Sequence, residues 1–245
     1  MIQNQKPQEQ KLSAATPLSF DAQAIPIHEV CADQPVVAAH HLHPANLKSR
    51  FLSPPDWQPE ITDENRQVIA AGIIQNRQAA GKITQAAVLI PLLLKNDGLS
   101  VLLTQRTDHL HDHAGQISFP GGRMDPGDSS PNDTALRESE EEIGLDRQGV
   151  EIIGHLPQYL TVSGYSVTPV VGLVKPQAEY ALDAFEVADV FEVPLHFLMD
   201  PANHQVRVWE SDQGSRRFYS MPYENRFIWG ATAGMLRNLY HLLKV

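Results

Sequence analysis

The chain has 245 residues, of which 42% are hydrophobic, and its net charge is −10 with histidine neutral. Such a length forms one large domain, or one medium domain with an extension. The acidic balance argues against sequence-independent binding of nucleic acids, which needs a basic surface. The single cysteine, Cys31, excludes an intrachain disulfide. No apolar stretch is long enough for a membrane span or resembles a leader peptide, so we expect a cytoplasmic protein without a membrane partner.

The first 80 residues differ in composition from the rest. Eight of the 18 prolines lie in residues 1–60, and the first glycine is Gly72. We therefore predict an N-terminal extension over 1–80 that is partly disordered, mobile for roughly its first 40 residues. Residues 47–52 could dock on the main domain, and Asp63 suits the N-cap of a helix over 63–80. A role for the extension in partner binding or in a homodimer stays open.

Residues 81–245 show the pattern of an α+β domain. Strands and helices are mixed along the chain, which predicts a mixed β-sheet flanked by helices in an α/β/α sandwich. The turn Asn96-Asp97-Gly98 has good hairpin chemistry. The predicted strands cover 86–95, 99–106, 151–160, 167–174, 206–211 and 216–220, and the predicted helices cover 131–143 and 229–243.

The predicted helix at 131–143 carries three carboxylates on one face. Glu138, Glu141 and Glu142 stand at positions i, i+3 and i+4, which are neighbours on a helix surface. At a separation of about 6 Å each pair repels by about 3 kcal/mol, for an effective dielectric of about 20. A hard divalent cation with oxygen ligands would offset this repulsion. The alternative is a solvated acidic face on which Arg137 neutralises one carboxylate.

A paired-glycine loop precedes this helix. The residues are Phe119-Pro-Gly-Gly122, and glycines allow the backbone to approach a ligand closely. A loop of this kind leading into a carboxylate-bearing helix suits a diphosphate held beside metal ions. The combination favours a metal site over a solvated acidic face.

Residues 122–145 resemble the Nudix box, G-x5-E-x7-R-E-U-x-E-E-x-G-U, where U is a bulky aliphatic residue. The matching residues are Gly122, Arg137, Glu138, Glu141, Glu142, Gly144 and Leu145. Asp128 stands where glutamate is usual, and eight residues instead of seven separate it from Arg137. Ser139 occupies the first U position.

These departures are similar to those of the coenzyme A diphosphatase branch of that family. That branch has a second signature, L-L-T-x-R-(S/T)-x-x-L-x-x-H-x-G-Q-(I/V)-x-F-P-G-G, and residues 102–122 read LLTQRTDHLHDHAGQISFPGG. The resemblance covers about residues 83–245 and implies the Nudix fold. It also implies Mg²⁺ or Mn²⁺ as cofactor and coenzyme A or acyl-coenzyme A as substrate. The products would be 3′,5′-ADP and (acyl-)4′-phosphopantetheine.

The same resemblance implies roles for individual residues. The implied metal ligands are Glu138, Glu141 and Glu142. Candidates for the catalytic base are a box glutamate (Glu141 or Glu142) or an acid from another loop, Glu186. The implied substrate-binding residues are Arg106, His113, Gly115, Gln116, Phe119, Gly121 and Gly122. Arg137 is expected to brace Asp128 in a structural role. The residue that binds the 3′-phosphate stays open among Arg106, Arg123 and Lys82.

Several alternatives remain beside this interpretation. Arg106 could meet a phosphate or a box carboxylate, and His113 could touch substrate or only hold its loop. Phe119 and Trp229 are more typical of core residues than of a stacking surface. The substrate could instead be another nucleoside diphosphate derivative, such as ADP-ribose or NADH. A non-catalytic Nudix binding protein is the least favoured alternative, since the box glutamates are intact.

Overall fold

A computed structural model describes residues 21–70, 83–109, 114–161, 163–211 and 214–245. Its α-helices are α1 (Pro44–Leu52), α2 (Asp63–Ala70), α3 (Pro131–Ile143), α4 (Leu195–Leu198) and α5 (Gly230–Leu243). Its strands are β1 (Ile27–Val30), β2 (Thr84–Lys95), β3 (Gly98–Arg106), β4 (Ile117–Ser118), β5 (Gly121–Arg123), β6 (Val150–His155), β7 (Tyr159–Leu160), β8 (Tyr165–Val174), β9 (Val187–Pro194), β10 (Gln205–Ser211), β11 (Gly214–Tyr223) and β12 (Arg226–Trp229). Single 3-10 turns cover Ala39–Leu42, Arg147–Gly149 and Pro201–Asn203.

The larger sheet is built around β2, a nearly continuous apolar strand. Its central path runs β4-β3-β2-β8-β6, while β5, β7 and β9 pair with β2, β8 and β3 respectively. The β2–β8 pair is parallel and the other pairs are antiparallel, so the sheet is mixed. Continuous apolar sequence is typical of a strand buried on both faces. Pro91 lies between the segments of β2 that pair with β5 and with β3.

Helices cover both faces of this sheet. Ala135 and Ile143 of α3 pack on one face, against Ala87, Leu89 and Leu102. The other face belongs to the larger core, to which α1 contributes Leu47 and α5 contributes residues such as Leu236. The predicted α+β arrangement, a mixed sheet between helices, is therefore confirmed.

A second, four-stranded antiparallel sheet has the order β1-β10-β11-β12. Strand β12 of this second sheet contacts β4 of the larger sheet. The β10–β11 hairpin and the N-terminus of α5 therefore lie on the β4 side of the larger sheet. Sequence reasoning predicted most of β10 and part of β11. It missed β12, β9 and the short strands β4 and β5, and it merged β6 and β7 into one strand.

Residues 21–70 pack closely against the rest of the chain. The sequence predicts mobility up to about residue 40, but residues 27–30 form β1, which pairs with β10. The predicted docking of residues 47–52 is confirmed, because Leu47 in α1 is fully buried and Phe51 lies over Gly154. The predicted helix over 63–80 begins at Asp63. Its N-cap is Thr62 and not Asp63 as predicted, because the Thr62 hydroxyl accepts the N–H of Asn65 at 3.3 Å. Residues 71–80 lie outside the described part. The domain division at residue 80 stays a prediction.

Candidate active site

Helix α3 begins and ends as its sequence predicts. The Ser130 side chain accepts the N–H of Asp133 at 3.2 Å, and the helix ends at Gly144 in the left-handed conformation. Ser139 is fully buried and donates its hydroxyl to the carbonyl of Ala135 at 2.6 Å. This internal hydrogen bond satisfies a polar side chain at a box position where an aliphatic residue is usual.

Glu142 presents a buried carboxylate to the paired-glycine loop. Its Oε2 accepts the N–H of Gly121 at 3.1 Å, and its side chain is only 7% exposed. Burial raises the pKa of Glu142 to about 8, although the Gly121 hydrogen bond and the charge of Arg106 lower it. The negative charges of Glu138 and Glu186 raise this pKa further. The loop and helix thus hold a carboxylate where its charge lacks solvation.

The two glycines allow the loop to lie against both β2 and α3. Gly121 has φ +151°, and a Cβ there would lie 2.4 Å from the carbonyl oxygen of Ala87. A Cβ on Gly122 would lie 2.6 Å from the carboxyl carbon of Glu138. Both distances are shorter than van der Waals contact, so residues with side chains cannot replace these glycines without movement.

Arg137 connects the loop to the helix. Its Nε and one terminal nitrogen each donate to the Asp128 carboxylate at 2.9 Å, in the contact expected from the sequence. This pairing holds the pKa of Asp128 well below its usual range. The other terminal nitrogen lies 3.0 Å from Glu138 and 2.9 Å from Glu141. Arg137 therefore contacts Asp128, as the resemblance implies, and also neutralises part of the acidic face, as the alternative interpretation of the helix expected.

The three box glutamates differ in exposure. Side-chain exposure is 60% for Glu141, 18% for Glu138 and 7% for Glu142. Burial raises the pKa of Glu138, and the charges of Glu141 and Glu186 contribute to the rise. Within the described residues no three potential ligands converge as they would around a metal. The donor set still fits a hard divalent cation, because the buried carboxylate of Glu142 and the half-buried carboxylate of Glu138 lie one helical turn apart on the same edge.

A cavity of about 600 Å³ opens beside Gly121. From the signature segment it is lined by Arg106, Gln116, Ile117, Ser118 and Phe119. The β10–β11 hairpin and the start of α5 supply the opposite wall, with Trp209, Arg216, Phe218 and Trp229. Sequence reasoning missed these four as site residues, because no motif places the second sheet against the loop. Alternating polar and aromatic residues in predicted strands near 206–220 were the available signal.

Two aromatic predictions have different outcomes. Phe119 is buried, as expected for a core residue, and its ring also lines the cavity. The expectation that Trp229 is a core residue is wrong. It is only partly buried at the N-terminus of α5, with its ring 5.6 Å from that of Phe218 in an edge arrangement. Trp229 ends β12 and is the N-cap residue of α5, and it lines the cavity there.

The remaining predicted residues lie around the site. The Arg106 guanidinium is 4.0 Å from Glu142, and its buried Nε has no hydrogen-bond partner in the described structure. Gly115 has φ +68° beside Asp108 and is not among the described residues that line the cavity. The Glu186 carbonyl accepts the N–H of Thr107 at 3.0 Å. His113 lies outside the described residues.

Comparisons with known proteins identify the family. The NUDIX domain model matches residues 83–213. The chain is 43% identical over 155 residues to the Nudix hydrolase NudL of Yersinia pestis, covering 63% of this chain and 77% of that relative. NudL of Yersinia pseudotuberculosis gives the same values. The chain therefore belongs to the Nudix family and is a Nudix hydrolase, a class of divalent-metal enzymes that act on nucleoside diphosphate derivatives.

Similar solved structures include a Nudix hydrolase and an Ap4A hydrolase. RenU of Mycobacterium smegmatis aligns with a TM-score of 0.40 and 22% identity, covering 45% of this chain and 70% of that one. The Ap4A hydrolase of Caenorhabditis elegans aligns with a TM-score of 0.40 and 20% identity, covering 48% and 85%. Within the described residues no helix has the length and hydropathy needed to cross a bilayer.

Proposed function

We propose that this hydrolase cleaves the diphosphate of coenzyme A and its acyl derivatives into 3′,5′-ADP and (acyl-)4′-phosphopantetheine. One observation carries the proposal. The segment that resembles the coenzyme A signature lines a cavity of about 600 Å³ that begins at the loop contacting Glu142. The signature and the box glutamates thus meet at one site, large enough for part of an extended substrate.

Glu138, Glu141 and Glu142 would hold Mg²⁺ or Mn²⁺, which would neutralise these carboxylates and polarise the phosphoryl oxygens. Glu138 and Glu142 are already positioned against the glycine loop. Glu141 is the third oxygen donor and pairs with Arg137 at the solvent-exposed edge. The acidic chain would in this way accommodate an anionic substrate.

Other groups in the site are proposed to bind and orient the diphosphate. The backbone at Gly121 and Gly122 approaches closely enough to contact phosphoryl oxygens because neither residue has a side chain. Arg106 has a buried N–H without a partner in the described structure, which a phosphoryl oxygen could accept. Gln116 and Phe119 line the adjoining wall, and we propose that Gly115 and His113 shape this loop.

A general base must take a proton from the attacking water. The candidates are Glu141, Glu142 and Glu186, and the charge of Glu186 raises the pKa values of both Glu138 and Glu142. Glu186 lies on a loop before β9, outside the box helix. We propose that Glu186 is the base or orients the water, and that Arg137 keeps its structural role with Asp128.

The test is hydrolysis of defined substrates with Mg²⁺ or Mn²⁺ by the wild type and two variants. Coenzyme A, an acyl-coenzyme A, ADP-ribose and NADH are incubated in parallel, and products are separated by ion-pair chromatography with mass detection. Glu142→Gln removes the buried carboxylate. Glu140→Gln is the matched control, since Glu140 is exposed and pairs with Arg147 at 3.4 Å.

We expect 3′,5′-ADP from coenzyme A in the wild type and in Glu140→Gln, with at least a hundredfold less in Glu142→Gln. Cleavage of ADP-ribose or NADH with coenzyme A intact would refute the substrate while leaving the metal chemistry in place. Failure to cleave any of the four substrates with either metal would favour a binding protein.

A further inference from the structure

Four side chains form one continuous wall of the cavity by strand register. Trp209 pairs directly with Arg216 across β10 and β11. Phe218 lies two residues beyond Arg216, on the same face of β11. Trp229 pairs with Ser220, which continues that face. The wall therefore presents three aromatic rings and one guanidinium group.

The charge of this cavity is opposite to that of the whole chain. Its described lining includes three arginines, Arg106, Arg216 and Arg217, and one carboxylate, Glu64. The net charge of the chain is −10. Positive charge concentrated in one cavity of an acidic protein indicates a site for an anionic group. This site would be separate from the metal site at the box glutamates.

Arg216 is the arginine best placed to bind a separate anionic group. Arg217 also lines the cavity but already pairs with Glu29 at 3.1 Å. Arg106 lies by Glu142, where the diphosphate is expected. Arg216 stacks over Trp209 at 5.7 Å and has no carboxylate at salt-bridge distance among the described residues. Its N–H groups are therefore available to a phosphate.

We propose that this wall binds the nucleotide half of the substrate, with the adenine on the aromatic rings and the 3′-phosphate on Arg216. The inference rests on the proposed hydrolysis of coenzyme A. A nucleobase offers a flat π-surface for Trp209, Phe218 and Trp229, and the ribose 3′-phosphate offers the second anion. The pantetheine half has neither a ring nor a charge, so it would use neither feature of the wall.

This assignment differs from the candidates available from sequence. Arg106 is placed at the diphosphate, and Arg123 on the box side is not among the described residues that line the cavity. Lys82 lies outside the described residues. Arg216 comes from a hairpin more than 80 residues after the box helix begins, which explains why no local motif indicates it.

The first test measures binding without metal, by calorimetry, for adenosine 3′,5′-bisphosphate and adenosine 5′-monophosphate. We expect the wild type to bind the bisphosphate about tenfold more tightly, since a charge-assisted contact has this magnitude. Arg216→Ala should remove this preference, Arg216→Lys should restore part of it, and the remote control Arg147→Ala should retain it. Equal loss for both nucleotides, or an unchanged preference in Arg216→Ala, would overturn the assignment.

Tryptophan fluorescence reports separately on the stacking. The chain has three tryptophans, and Trp57 does not line the cavity. We expect the bisphosphate to quench wild type and Trp57→Phe similarly, and to quench Trp209→Phe and Trp229→Phe less. Quenching that disappears only in Trp57→Phe would place the nucleotide elsewhere.

A kinetic test separates this inference from the proposed function. In wild type, KM for 3′-dephospho-coenzyme A should exceed that for coenzyme A by about tenfold, with similar kcat. Arg216→Ala should raise KM for coenzyme A to the value for 3′-dephospho-coenzyme A, and it should leave KM for 3′-dephospho-coenzyme A unchanged. If wild type cleaves coenzyme A but Arg216→Ala behaves as wild type, only this inference fails. If wild type cleaves neither compound, the proposed function fails, and the calorimetric preference decides whether Arg216 binds a 3′-phosphate.

Discussion

Two helical arginines hold carboxylates in opposite environments. Arg137 of α3 is 23% exposed and binds Asp128, Glu138 and Glu141 at the candidate active site. Arg237 of α5 is 1% exposed and binds Glu60 at 3.0 Å, His204 at 3.0 Å and other polar groups. The first arginine belongs to a motif readable from sequence, and the second does not.

The difference shows how one side-chain chemistry serves two purposes. Around Arg137 the partners are close in sequence, partly hydrated and arranged beside the glycine loop. Around Arg237 they come from the N-terminal segment, through Gln34 and Glu60, and from the turn before β10, through His204. The rings of Tyr219 and Tyr240 enclose the guanidinium. The contacts of Arg137 hold the loop before α3 against that helix, whereas the contacts of Arg237 fasten residues 21–70 to the domain.

The largest expected effect is on stability, from Arg237→Ala. Removing this buried cation leaves Glu60 with His241 as its remaining described ion-pair partner. We expect the free energy of unfolding to fall by about 3–5 kcal/mol, the usual range when one partner of a buried pair is deleted. Urea denaturation measures the change, and kcat per folded molecule should stay within about twofold.

The matched control for that variant removes both charges. Arg237→Met combined with Glu60→Gln should cost clearly less than Arg237→Ala alone, because no uncompensated carboxylate remains. A loss below about 1 kcal/mol in Arg237→Ala would contradict the fastening role.

The second effect concerns the paired glycines and should separate activity from stability. In Gly122→Ala the new Cβ meets the carboxylate of Glu138, which is the movable end of a side chain. We expect kcat/KM to fall about a hundredfold from a misplaced carboxylate, with little change in stability. In Gly121→Ala the Cβ meets the backbone of Ala87, so unfolding should become easier. Equal stability of the two variants, measured by urea denaturation, would reject this distinction.

The third effect is a pH dependence of stability on the Arg237 side. His204 donates from Nε2 to the Leu198 carbonyl at 2.7 Å and accepts from Arg237 at Nδ1. Burial, with Arg237 and His241, lowers its pKa to about 4, against the opposing Leu198 hydrogen bond and Asp200. The folded state therefore binds a proton less readily than the unfolded state, and stability falls as pH drops from about 6.5 to 4.

The expected loss from His204 between pH 7.5 and 5 is about 2 kcal/mol. Glu60 adds a loss at lower pH, because its pKa is lowered to about 2 by hydrogen bonds from His241 and Arg237 despite burial. Urea denaturation of His204→Gln should show a flatter profile above pH 5. A slope equal to that of the wild type would assign the pH dependence to other groups.

Local motifs predicted the box side of the molecule well. The helix at 131–143 was predicted with its observed bounds, because a cap, a proline and a terminal glycine mark its ends. The contact of Arg137 with Asp128 was expected only from the resemblance to the Nudix box. The helix bounds depend on residues within about one or two helical turns, where spacing determines geometry.

The cavity wall and the contacts of Arg237 depend on residues that lie far apart in the sequence, so sequence spacing does not predict them. Strand β9 and the short strands β4 and β5 have no alternation long enough to detect. The cavity wall at Trp209 and Arg216 exists because the second sheet folds over the signature loop. Arg237 lies in a helix whose sequence is mostly apolar, and its partner Glu60 is 177 residues away along the chain. Only the assembled fold brings such pairs together.

The smallest effect tests whether Arg137 acts through its fork geometry. Arg137→Lys keeps the charge but cannot donate two parallel hydrogen bonds to Asp128 while also contacting Glu138 and the Arg123 carbonyl. We expect a stability loss of about 1 kcal/mol or less, since the site is partly hydrated. Thermal denaturation of Arg147→Lys provides the control, because Arg147 makes one exposed contact with Glu140 at 3.4 Å.

If the two lysine variants are equally stable, the charge of Arg137 suffices and the bidentate contact contributes nothing measurable. If only Arg137→Lys loses stability, the bidentate contact of Arg137 with Asp128 positions the loop before α3. Its KM for substrate should then rise more than kcat falls, since the displaced loop would bind the diphosphate less well while the box carboxylates stay in place. A larger loss than in Arg237→Ala would reverse the contrast between the two arginines and assign the fastening role to the box.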